Sequence, residues 1–127
     1  MTPADLLAAA RDIQQRPAAA TAGLWPRAAA FLARQALEVG LAQFWESSPA
    51  TSGLSRCPAR SQLACLPAYL DAQAAHQVAY VWAALSAACH YHAYELAPTA
   101  PELTSWFEVV GQLLGDLSRL PDVAVGR

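Results

Sequence analysis

Behind Thr2-Pro3, the residues Leu6, Leu7, Ala10 and Ile13 recur at helical spacing, with Asp5, Arg11, Asp12 and Gln15 turned elsewhere. A threonine followed by proline is a favourable helix opening: the hydroxyl accepts a free backbone amide, and proline has no amide to leave unpaired. The helix should stop near Arg16-Pro17, because the residue before a proline avoids helical backbone angles. Ala18 to Gly23 then reads as a linker. From Leu24 to Trp45 the apolar positions Phe31, Leu37, Leu41 and Phe44, with Ala30 and Ala33, draw a second helical stripe. Leu32, Ala36 and Val39 widen it and leave a narrow polar remainder of Arg27, Arg34, Gln35 and Glu38. A helix this apolar has partners on more than one side, which makes it the expected central helix.

Ser47 to Pro58 (SSPATSGLSRCP) clusters Ser, Pro, Thr and Gly and reads as a loop. Ala59 to Leu66 predicts a short helix with Leu63 and Leu66 inward. Another long helix runs from about Asp71 to His92, and Ala97 to Thr99 breaks the chain. The segment TAPE then forms a capping box, with Thr99 as N-cap and Glu102 three residues on. After it Leu103, Trp106, Phe107, Val110, Leu113, Leu114, Leu117 and Leu120 make one stripe, and 121–127 is a tail. Nothing alternates with the period of a strand. The expectation is one all-α domain over 1–127, an antiparallel up-down bundle of four main helices plus a short extra helix. The first helix lies within 1–17 and the bundle core within 24–120.

Composition narrows the function classes. At 127 residues, 55% hydrophobic and 14% charged, the chain can bury a core and is not of the disordered type. Every basic residue is arginine, as a GC-rich, bacterial coding background favours, and the net charge is −2. The arginines are scattered, so nucleic-acid binding has no clustered positive charge to rest on. Cys57, Cys65 and Cys89 contain no CxxC pair, which argues against a disulfide framework or a zinc ribbon. With no secretory pattern at the N-terminus and no apolar run of spanning length, the expected location is the cytoplasm.

The remaining chemistry lies in ACHYHAYELAPT, residues 88 to 99. His76, Tyr80, Ala83, Ala87, His90 and Tyr94 share one helical stripe, and Val78, Trp82, Leu85, Cys89 and His92 share another. On a helix His90 and His92 point about 200° apart, so they do not converge on one ion. Cys89 and His92 can converge, but zinc needs further ligands from another helix or subunit. The plain alternative is structural: histidines favoured by the helix C-terminus, Cys89 in the core, and tyrosines packed at the rim. No motif implies a cofactor.

The order of a long helix opening PRAAAFLARQALEVGL, a loop, a long helix closing in CHYHAYELAPT, and an amphipathic last helix resembles the HEPN superfamily of small helical bundles. The resemblance covers about Leu24 to Leu120. Many members are metal-independent endoribonucleases that use an arginine and a histidine four to six residues apart, meeting across a homodimer. Here His90 or His92 matches the histidine, but the positions counted back are Ala84, Leu85, Ser86, Ala87 and Ala88, and none is arginine. The resemblance therefore implies a non-catalytic bundle acting as a homodimer or on a protein partner, as in defence or toxin–antitoxin systems. Trp25, Trp45, Trp82 and Trp106 are the candidate interface residues. If the protein is instead an enzyme, His90, His92, Tyr94 and Glu95 are its candidate catalytic groups, with Arg34 supplying charge. A third alternative is a metal or small-ligand site on Cys89 and His92.

Overall fold

A computed structural model describes residues 1–16, 24–90 and 96–120, and among them the regular structure is helical, without strands. Helix α1 spans Pro3–Gln15, α2 Trp25–Glu46, α3 Ala59–Cys65, α4 Ala72–Cys89 and α5 Ala100–Arg119. Short 3-10 turns occupy Ser52–Arg56 and Leu66–Ala68. The expected linker at 18–23 and the tail at 121–127 lie outside the described residues.

Local chemistry sets the helix starts. Thr99 accepts from the Glu102 amide at 3.2 Å while Glu102 accepts from the Thr99 amide at 2.9 Å, which completes the anticipated capping box of α5. Helix α1 opens with the same reciprocal pair, Thr2 and Asp5, at 3.0 and 3.1 Å. There the box uses aspartate instead of glutamate, so its sequence pattern is easier to overlook. The Thr2 backbone amide holds the Asp5 carboxyl below its ordinary range. Asp71 caps α4 by accepting from the Ala74 amide.

Helices α2 and α5 each pack against the other three long helices. The core runs through Leu6, Leu7, Leu37, Leu41, Trp45, Leu85, Leu103, Phe107, Val110 and Leu113, all buried. Alanines at 29, 30, 33 and 36 are fully buried along α2, so its neighbours approach closely. At Gly40 the approach is closest: an added methyl group would run into the end of the Leu114 side chain on α5. Gln14 of α1 donates to the Ala100 carbonyl and to the Thr104 hydroxyl, tying α1 to the start of α5.

One expectation about the apolar stripes needs correction. Phe31 is 44% exposed, because the buried face of α2 is centred on the alanines, Leu37 and Leu41 instead. Arg34 and Glu38, part of the narrow polar remainder of α2, are half-buried, with Glu38 bonded to Trp82 of α4.

The stretch expected as a loop at 47–58 is a built plug over the end of α2. Ser48 and Thr51 are buried, and the Thr51 hydroxyl donates to the Trp45 carbonyl at 2.7 Å. Gln62 is 6% exposed and accepts from the Trp45 indole at 3.1 Å while donating to the Cys57 carbonyl at 2.8 Å. Trp45 itself is wholly buried and meets Phe44 in a tilted and Tyr69 in an edge-on contact, with ring centroids 5.0 and 5.5 Å away. It is therefore a core residue with no surface to offer a partner, contrary to its place among the interface candidates. Trp25, Trp82 and Trp106 are half-buried.

Candidate functional site

Besides the buried plug around Trp45, a second set of polar groups meets along the α2–α4 seam. Arg27, Arg34 and Glu38 recur at helical spacing on α2, and Trp82, Ser86 and Cys89 do the same on α4. Trp82 donates its indole N–H to Glu38 Oε2 at 2.8 Å. Arg34 Nε lies 3.6 Å from the same oxygen, within ion-pair reach but beyond hydrogen-bond length. The side chains of Arg34 and Glu38 are 24% and 35% exposed, so water screens their pairing only in part. Arg34 Nε and the Ser86 hydroxyl are shielded from solvent and have no hydrogen-bond partner among the described residues.

At the upper end of the seam Arg27 Nε donates to the Cys89 carbonyl at 2.8 Å. That carbonyl belongs to the last turn of α4, where the helix supplies no amide to satisfy it. A guanidinium from α2 therefore caps α4, and its charge lies at the negative end of that helix dipole. The helix ends at Cys89 with His90 as its C-cap, earlier than the expected end at His92. His90 is exposed, with its backbone amide donating to the Ala87 carbonyl.

Cys89 is 8% exposed, and burial pushes its thiol pKa up, partly countered by the charges of Arg34 and Arg27. A buried thiol held neutral is a poor nucleophile and a poor anionic ligand. Among the described residues no group of three or more His, Cys, Asp and Glu is placed to hold a metal ion. Of the sequence candidates, Arg34 and Cys89 are brought to one seam, and His90 follows directly at its end. His92, Tyr94 and Glu95 lie outside the described residues.

Glu38 and Trp82 join this seam in roles the periodicity did not assign. Their signal was present: Glu38 lies one turn beyond Arg34, an i,i+4 pair of opposite charge. The α4 partner for that pair was not legible without the tertiary structure. A groove of about 490 Å³ elsewhere, between α1, α2 and α5, is lined by Pro3, Gly40, Phe44, Leu114 and Leu117 and gathers no ionisable side chain.

No family model, curated protein or solved structure matches the chain. No described helix is long and apolar enough to cross a membrane.

Proposed function

We propose that the protein is a non-catalytic, HEPN-like bundle, arranged up-down, that works as an interaction module by dimerising or docking on a protein partner. A bacterial cytoplasmic setting, in defence or toxin–antitoxin systems, fits that reading. One observation carries it. Helix α4 has 18 residues and not one Asp, Glu, Lys or Arg, yet its outer face is open, with Tyr80 63% exposed. A surface helix ordinarily turns charge to water, whereas the centre of an interface is depleted of charge and enriched in aromatic residues. Native mass spectrometry of the purified chain over a concentration series tests the reading. A dimer or a retained protein partner is expected; a chain that stays monomeric throughout and retains no partner overturns it.

A second reading, a metal-independent endoribonuclease, is favoured by the Arg27 contact at the end of α4. There a cation supplied by α2 stands beside the His90 turn, although α4 lacks the arginine of the HEPN pattern. Such a cation could stabilise phosphate charge while a histidine moves the proton. RNA cleavage that disappears in His90→Ala or His92→Ala would establish this reading. Equal turnover in both variants removes it.

A further inference from the structure

The outer face of α4 has a spacing and a size pattern that the plain interaction reading does not use. Among its exposed positions, Gln73, His76, Tyr80, Ala83 and Ala87, continued by the C-cap His90, are separated by three, four, three, four and three residues. That alternation is the 3.5-residue period at which two helices keep one seam in contact along their length. Between the ends at Gln73 and His90, the large side chains His76 and Tyr80 fall in the first half of the seam, and the small Ala83 and Ala87 in the second.

We infer that α4 pairs with α4 of a second copy of this chain, antiparallel about a two-fold axis that crosses the helix between Tyr80 and Ala83. This inference rests on the interaction reading above and names its partner. Reversing the seam against itself sets Tyr80 of one copy over Ala83 of the other, and His76 over Ala87. These two central pairs each set a large side chain on a small one, which allows close interdigitation, while Gln73 of one copy meets His90 of the other at the ends of the seam. A parallel pairing would set Tyr80 on Tyr80 and Ala83 on Ala83 and leave gaps.

Charge points to the same occupant. Near a two-fold axis a residue lies close to its own copy, so any charge there meets a like charge. The stretch of α4 around the axis carries no Asp, Glu, Lys or Arg and so meets that requirement; a different partner would not impose it there, since an opposite charge could answer each one. The surroundings extend the patch. Leu96, 97% exposed, lines a hollow with Ala84 and Ala87 on one flank. Phe31 lies on the α2 stripe that carries Arg27, Arg34 and Glu38, on the other flank. With Tyr80, these are three of the five large apolar side chains that the described residues expose, and they gather around one helix. Over about 27 Å of helix, at 1.5 Å per residue, the seam is long enough for both copies to engage every position from Gln73 to His90.

Sedimentation velocity on the full chain, from low-micromolar to hundred-micromolar concentration, tests the seam with three variants. Wild type is expected to dimerise. Ala83→Glu, on an exposed helical position that tolerates glutamate, should keep its helical circular dichroism and dissociate on the order of a hundredfold more readily. Tyr80→Arg alone should also weaken the dimer, while Tyr80→Arg/Ala83→Glu should recover it, because the two introduced side chains face each other across the axis. A wild type that stays monomeric overturns the choice of a second copy. If that monomer retains a different protein, the interaction reading itself survives. A dimer indifferent to Ala83→Glu overturns the α4 face and leaves dimerisation standing. Loss of the dimer in both single variants without recovery in the double overturns the antiparallel register.

Discussion

Removing the Glu38 carboxylate should loosen α4 from α2 by an amount that follows from the seam geometry. In Glu38→Ala the Trp82 indole N–H loses an acceptor 2.8 Å away, and Arg34 loses the carboxylate 3.6 Å from its Nε. A hydrogen bond to a charged group contributes about 1.5–3 kcal/mol. The ion pair, partly screened by water, adds about 0.5 kcal/mol or less. The expected loss is about 2–3 kcal/mol, which for a chain of this size lowers the melting temperature by about 6–15 °C. Trp82→Phe removes the donor and keeps most of the ring area, so about 1–2 kcal/mol should go with it. Because both changes break the same bond, the double variant should fall short of the sum of the singles by about 1–2 kcal/mol. Urea unfolding followed by far-UV circular dichroism measures all four proteins without relying on tryptophan fluorescence, and a constant denaturant slope licenses the comparison. Additive losses, with a coupling below about 0.3 kcal/mol, would refute the bond as the tie between the helices.

Four other outcomes follow from the same structure. Gln62→Ala strips the buried Trp45 indole and the Cys57 carbonyl of their partner and should destabilise by about 2–4 kcal/mol; Gln62→Met, which keeps the volume, should lose nearly as much, and wild-type stability in it would count against the polar role. Thr99→Ala should lose about 1 kcal/mol with the α5 capping box, against a change within about 0.5 kcal/mol for exposed Ser105→Ala, and equal melting temperatures for the two variants would contradict the cap. Alkylation of the native protein should label half-buried Cys57 and Cys65 well before Cys89, with site occupancy read by peptide mass spectrometry. The raised Cys89 pKa has a stability consequence: its contribution is intact below the ordinary thiol value of about 8.5 and is lost as pH rises through the higher folded value, so Cys89→Ala should flatten the alkaline fall in stability.

Much of the fold was legible in the order of the residues, because helix signals are local. The caps at Thr2 and Thr99, the proline after Arg16, and the stripe from Leu103 to Leu117 each depend on neighbours within a turn or two. The same local rules misplaced Phe31. A broad apolar face does not say which of its sides meets a neighbour, and on α2 the fully buried side is lined largely by alanine. The segment at 47–58 looked like a loop since its residues favour turns. What the pattern left out was that Ser48, Thr51 and Gln62 turn inward to satisfy groups around Trp45, a relation spanning 17 residues.

For the candidate site the division is sharper. The sequence by itself determined that His76, Tyr80, Ala83, Ala87 and His90 would share one stripe, because that is a property of one helix; that the stripe faces outward came from the tertiary structure. The sequence also determined that no arginine stands four to six residues before His90 or His92. Only the tertiary structure decided that Arg27 caps the end of α4, that Glu38 accepts from Trp82, and that Cys89 is buried within the field of two guanidinium groups. Those relations join residues 44 and 62 positions apart, and no spacing along the chain encodes them. They arise from how two helices lie against each other, which depends on the shapes of many side chains together.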